Sequence, residues 1–128
     1  MKYILIFLTT SVFLFSDTLQ WSSDYNQTFY SAKQEAKPVL MMYHASWCPE
    51  CAYMKEVIFK DPKLSAYMKK HYKLLAFDIQ KDKKRLPKGY TYKGVPTFYV
   101  ISRQQKLLGK IEGATKAKSF LQRLESIK

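Results

Sequence analysis

The chain has 128 residues, 47% hydrophobic and 16% aromatic, with 22 basic against 10 acidic side chains and a formal charge of +12. That length suits one domain with a core of its own, and that apolar content excludes a disordered chain. Its two cysteines stand three positions apart, so none is left for a structural disulfide framework and any bridge joins Cys48 to Cys51.

Met1-Lys2 followed by an uncharged, mostly apolar run to Phe15 has the pattern of a secretory signal, and it is short for a membrane span. The expectation is a leader over residues 1–16, cut near Ser16, and a mature domain over 17–128. The mature chain would work outside the cytoplasm, in the periplasm or another extracytoplasmic space, with an uncleaved leader as a route to membrane anchoring. The competing reading is a buried first strand or helix, which would normally show polar alternation. In an oxidising compartment a closely spaced cysteine pair can be driven either way.

Trp21-Ser22-Ser23-Asp24 reads as a helix opening, with Ser23 or Asp24 as the cap and Tyr25, Phe29, Ala32 and Ala36 on one face. Lys37-Pro38 ends that helix, and residues 39–44 form an apolar run that fits a buried strand. A second helix begins at the cysteines and places Met54, Val57 and Ile58 on one stripe. Asp61-Pro62 is a further start signal, Asp as cap and Pro in the first turn, with Leu64, Tyr67, Met68 and Tyr72 as the apolar side. Residues 74–79 read as a second buried strand. Residues 80–92 carry Lys81, Lys83, Lys84, Arg85 and Lys88 and read as an exposed connection with a short helix near 83–86. Residues 97–101 and 107–111 form a hairpin across 102–106. Thr115 is the expected cap of a last helix whose inner face is Phe120, Leu121, Leu124 and Ile127. The order predicts an α/β domain with its first two strands parallel through a right-handed crossover and the hairpin antiparallel.

Trp47-Cys48-Pro49-Glu50-Cys51 falls at the first strand-to-helix junction. Unpaired N–H groups and the positive end of the helix dipole favour an anion there, and a thiolate is the nucleophilic form of cysteine. One helical turn brings Cys51 beneath Cys48, close enough to bond. Pro49 suits the first turn, where its missing N–H costs nothing.

With these residues in place a resemblance is plain. Ala45-Ser46-Trp47-Cys48-Pro49-Glu50-Cys51 resembles the thioredoxin active site, and Gly94-Val95-Pro96-Thr97 resembles the cis-proline loop of that superfamily. Phe59-Lys60-Asp61-Pro62-Lys63 is similar to the stretch after the active-site helix in the C-terminal domain of the disulfide-interchange reductases of the DsbD family. The likeness covers roughly residues 21–124. It implies a thioredoxin fold with a four-stranded mixed sheet flanked by helices. It also implies an exposed nucleophile at Cys48 and a buried resolving thiol at Cys51. Trp47, Val95, Pro96 and Thr97 would be the substrate-binding residues, Trp47 covering the redox pair and Pro96 presenting the Val95 backbone through a cis bond. Thiol–disulfide exchange of this kind uses no metal and no organic cofactor. Its partners are protein thiol or disulfide clients and an upstream redox donor, and a monomer is expected.

The direction implied is reduction, with a disulfide oxidase, a cytochrome c maturation reductant and a redox-inert binding or chaperone module as the rivals. Each site residue also has a plainer reading. The cysteines with His44 and His71 would make a zinc half-site, but zinc takes four ligands and His71 falls on another helix. Pro96 alone would be an ordinary strand-start proline. Glu50 is a solvated acid by default, and as a modulator it would disfavour the nearby thiolate. Met42 departs from the family, which often has a buried acid there. That leaves His44, Lys55 and Glu56 as candidate modulators in its place. The basic residues read as a solvated face that suits acidic surfaces, and nucleic acid is not an expected partner of an exported chain.

Overall fold

The computed structural model describes residues 18–127. The expected leader over 1–16, and with it the domain boundary at 17, lies outside the described residues. In chain order the elements are β1 (Trp21–Ser22), α1 (Tyr25–Glu35), β2 (Val39–His44), α2 (Pro49–Glu56), a 3-10 turn (Ile58–Lys60) and α3 (Pro62–His71). There follow β3 (Lys73–Asp78), a second 3-10 turn (Lys83–Arg85), β4 (Thr97–Ile101), β5 (Leu107–Glu112) and α4 (Ala117–Ser126). Among the described residues no helix is long and apolar enough to cross a membrane.

The sheet runs β1-β3-β2-β4-β5. β2 and β3 are parallel, from Val39 beside Lys73 to His44 beside Asp78, and β4 is antiparallel to both β2 and β5. Strand alternation sends side chains to two apolar layers. Leu40, Met42, Leu74, Phe98, Val100 and Ile111 face α2, α3 and α4. Val39, Met41, Tyr43, Leu75, Phe77, Tyr99 and Ile101 face α1, which supplies Phe29 and Ala32. Because β2 is covered on both sides it shows no polar alternation, which is why it reads as a continuous apolar run.

The α/β thioredoxin arrangement stands as expected, with one strand more than the four anticipated. Trp21 and Ser22 do not open a helix; they pair parallel with Leu74 and Leu75 at the sheet edge, and the Trp21 ring packs 5.7 Å from Phe59. Two residues are too few to show a period, so the sequence offers no sign of this strand. α1 is capped by Asp24, whose carboxylate accepts the Gln27 N–H at 3.0 Å, and it stops at Ala36 in the left-handed region. Val57 is 55% exposed because α2 ends at Glu56 and the backbone tightens into the 3-10 turn, rotating Val57 off the stripe of Met54 and Ile58. Asp61 caps α3 as expected, taking the Leu64 N–H at 3.0 Å. Thr115 does not cap α4: its hydroxyl donates to the Lys116 carbonyl, and Lys116 holds the cap position without a side-chain bond.

Phe120 of α4 is fully buried and stacks edge-on to Phe98 at 4.8 Å and Phe59 at 5.6 Å, tying the last helix to the sheet and to the turn after α2. Phe120→Ala should cost about 3–5 kcal/mol, the usual loss for emptying an aromatic site in a core. Urea unfolding checks it as a lowered midpoint with an unchanged slope, and a shift within error would mean that α4 is not anchored there.

Candidate active site

Two connections meet at the end of the sheet where β2 and β3 finish. The one leaving β2 carries the cysteines, and the one from β3 to β4 carries the basic segment and then Val95 and Pro96. Cys48 is the residue before α2, with extended dihedrals (φ −92°, ψ 106°), and its sulfur fills the role usually taken by a Ser or Asp oxygen. The Cys51 N–H donates to Cys48 Sγ at 3.1 Å. The two sulfurs form a disulfide across Cα atoms 5.2 Å apart. An N–H fixed on the sulfur stabilises negative charge when the bond is opened, and the helix dipole acts in the same sense.

Across from the pair, the Val95–Pro96 bond is cis, and the Val95 carbonyl oxygen lies 3.6 Å from Cys48 Sγ. Pro96 is buried. Its carbonyl accepts the N–H of Gly113, whose φ of 80° suits a residue without a side chain. Thr97 is buried with its hydroxyl turned onto the Gly94 carbonyl at 2.7 Å, so its side chain braces the loop rather than facing outward.

One expectation needs correction. Cys48 is only 5% exposed against 1% for Cys51, so the first cysteine is the more accessible of the two but is not an exposed one in the disulfide form. Trp47 is 60% exposed: it stands beside the pair as open apolar surface, and as a large ring left in water it does not serve as part of the core. Both follow from the tight turn before α2, in which the Cys48 N–H bonds to the Ala45 carbonyl at 3.2 Å and swings Trp47 outward.

The candidate modulators divide. Met42 is fully buried in the same apolar layer as both cysteines, so the strand position beside them holds no acid. His44 shares the Met42 side of β2, and its Nδ1 accepts from the Lys55 ammonium at 2.7 Å. Burial lowers the His44 pKa and the Lys55 charge lowers it further, which keeps the imidazole neutral. Burial also lowers the Lys55 pKa, against the pull of Asp78 and Glu56. Glu50 is exposed in the first turn of α2 and Glu56 is exposed at its end; neither makes a hydrogen bond to the cysteines among the described residues. Lys55 also borders a cavity of about 590 Å³ floored by Leu19, Trp21 and Phe59, which no cysteine lines.

His44 and His71 lie at opposite ends of the parallel strands, about 16 Å apart along a strand at about 3.3 Å per residue, so they cannot share an ion with the cysteines. Among the described residues no group of three or more His, Cys, Asp or Glu side chains is placed to hold a metal.

One residue escaped the sequence reading. Asp78, at the end of β3, is buried and accepts three hydrogen bonds, from Ser46 Oγ at 2.9 Å on one oxygen and from the Gln80 and Lys81 N–H groups at 2.9 and 3.0 Å on the other, while its own N–H donates to Asp82. It fastens the loop after β3 to the loop that carries the cysteines. An acid closing an apolar strand was the available signal.

The comparisons with known proteins agree with this geometry. Residues 25–128 match the model of the thioredoxin-like domain family. The chain belongs to that family. It is 29% identical over 111 residues to the thiol:disulfide interchange protein DsbD of Campylobacter jejuni, a match that covers 81% of this chain and 19% of that protein. It is 30% identical over 89 residues to the chloroplastic thioredoxin Y1 of Arabidopsis thaliana, covering 70% of this chain and 49% of that one. The chain thus spans about a fifth of the length of the DsbD protein it matches. Its fold is shared with the oxidised C-terminal domain of Neisseria meningitidis DsbD (TM-score 0.70, 20% identity, 85% of this chain and all of that one). The DsbH oxidoreductase shares it too (TM-score 0.69, 21% identity, 85% and 83%). The chain therefore carries a thioredoxin-like domain with a disulfide between the two cysteines at the start of α2.

Burial pushes the Asp78 carboxyl up, but the N–H groups of Lys81 and Gln80, the Ser46 hydroxyl and the His44 ring outweigh it and hold it at about 2, below the ordinary 3.8. A depressed acid stabilises the fold above its unfolded pKa and loses that contribution as pH falls through the folded value. Stability should therefore drop between pH 3.8 and about 2 in the wild type, and Asp78→Asn should flatten that segment of the curve. Denaturant midpoints across the window test this, and parallel curves for the two proteins would remove Asp78 from the account.

Proposed function

We propose that this chain reduces disulfides of client proteins outside the cytoplasm. The observation that carries it is the placement of Cys48 Sγ, under the Cys51 N–H and 3.6 Å from the Val95 carbonyl. In the reduced protein the Cys48 thiolate attacks one sulfur of the client disulfide, forming a mixed disulfide and releasing the other client sulfur as a thiolate that takes a proton. Cys51 then loses its proton and attacks Cys48 Sγ. The second client sulfur leaves as a thiol, and the Cys48–Cys51 bond is left behind. The client gains two electrons and two protons, and an upstream dithiol restores the pair by the reverse sequence. Val95 offers its backbone to an extended client segment, and Trp47 offers apolar surface beside the attacked sulfur. Likeness to thiol:disulfide interchange proteins and thioredoxins supports the exchange reaction.

Insulin reduction tests both roles and direction. The dithiothreitol-recycled wild type should release the insulin chains, Cys51→Ser should stop at a mixed disulfide on Cys48, and Cys48→Ser should trap almost nothing on non-reducing gels. Equal trapping by the two variants would undo the assigned roles. A wild type that oxidises dithiol peptides and leaves insulin intact would reverse the direction.

Export rests on the Lys2-to-Ser16 pattern. Protein isolated from its native host should begin near residue 17 and fractionate outside the cytoplasm. N-terminal sequencing that finds Met1 on cytoplasmic protein would cancel the compartment.

A further inference from the structure

The connection from β3 to β4 carries Lys81, Lys83, Lys84, Arg85, Lys88 and Lys93 against a single acid, Asp82. Asp82 is taken by Arg85, and no carboxylate pairs with the five lysines among the described residues. All five are exposed. Both roots of the segment lie at the disulfide. Its first N–H groups, from Gln80 and Lys81, bond to Asp78, which also holds Ser46, two residues before Cys48. At its other end Lys93 stands two residues before Val95, whose carbonyl oxygen is 3.6 Å from Cys48 Sγ.

The middle of the segment is tied down as well. Leu86 and Tyr90 pack on the α1-side apolar layer, Tyr90 stacks on Tyr99 at 5.5 Å, and Tyr92 stands edge-on to Tyr43 at 5.4 Å. The lysines are therefore carried on an anchored segment whose middle packs on the α1 side of the sheet and whose two ends, at Lys81 and Lys93, come in beside the reactive bond. Acids at the same end do little to offset them: Asp78 is buried and engaged, Glu112 pairs with Lys110 at 3.1 Å, and Glu50 remains exposed.

We propose that residues 81–93 form an electropositive docking rim that selects client disulfides flanked by Asp and Glu. This deepens the exchange reading above and rests on it. Lysines in a field of one sign raise the encounter rate of acidic segments and repel basic ones. An acidic protein segment fits better than an anionic bilayer, because lysines pressed on lipid would turn the disulfide toward the membrane and shut clients out.

The test uses the reduced full chain and three matched disulfide peptides with acidic, neutral or basic flanks, followed by stopped flow. At low salt the acidic peptide should react about 10–100-fold faster than the basic one, and the gap should close as salt shortens the screening length to a few Å. K81Q/K83Q/K84Q/K88Q should lose most of that ratio, while R103Q/K106Q, on the hairpin at the opposite end of the sheet, should keep it. Equal rates for acidic and basic peptides, or a ratio that survives in the quadruple variant, would overturn the rim. Equal rates together with binding to phosphatidylglycerol vesicles would replace it with a membrane surface. Exchange with none of the three peptides would overturn the reductase reading and the rim with it.

Discussion

The parallel pairing of β2 with β3 is the constraint on which the site depends. Parallel neighbours cannot be joined by a tight turn, so the chain must travel the length of the sheet and back through α2 and α3. That crossover forces α2 to begin where β2 ends, and so puts Cys48 at a helix start. It also makes β3 finish beside β2, which delivers Asp78 next to Ser46 and sends the basic segment off from the same rim. The antiparallel β4 then enters from that end and brings Val95 to the sulfur. Asp78, Val95 and the Ser46–Cys48 stretch are far apart in sequence, and strand direction brings them together.

Much of this was legible because the relevant signals are local. Asp61-Pro62 marks the start of α3 through one cap and one fixed dihedral, and the apolar run from Val39 to His44 marks a strand buried on both faces. The cysteine pair and the Gly94-Val95-Pro96-Thr97 stretch gave the site. What stayed hidden depends on pairing across the sheet. Trp21-Ser22 is a strand only because β3 offers an open edge, and Val57 leaves the core only because the helix tightens after Glu56. Leu107 and Leu108 are both exposed because a bulge between Val100 and Ile101 breaks the alternation of β5. Thr115 looked like a cap by type, yet its hydroxyl turns to the neighbouring carbonyl.

Met42 leaves the β2 position beside the cysteines without an acid. A carboxylate there would be buried beside the disulfide; Met42 instead closes the apolar layer, and the polar groups begin one pleat further, at His44. Burial first and the Lys55 charge second lower the His44 pKa, which favours the neutral imidazole in its 2.7 Å contact with Lys55. Asp78 stays ionised throughout the neutral range and contributes its charge to the His44–Lys55 pair without touching either cysteine.

Two sets of charges thus act on the disulfide at different ranges. The Cys51 N–H works at 3.1 Å, inside the protein, where water does not screen it. Glu50 is opposed in sign but exposed, so solvent and salt reduce its effect on the same sulfur. At contact range the fixed N–H and the helix dipole win, and they govern the chemistry of Cys48. The loop lysines lie in water, where a charge is felt over about 8 Å at physiological ionic strength. That reach is too short and too screened to rival a hydrogen bond at the sulfur, yet it is long enough to act on a client segment before it touches. On the proposed reading, the helix start tunes the exchange and the basic rim acts on which partner arrives.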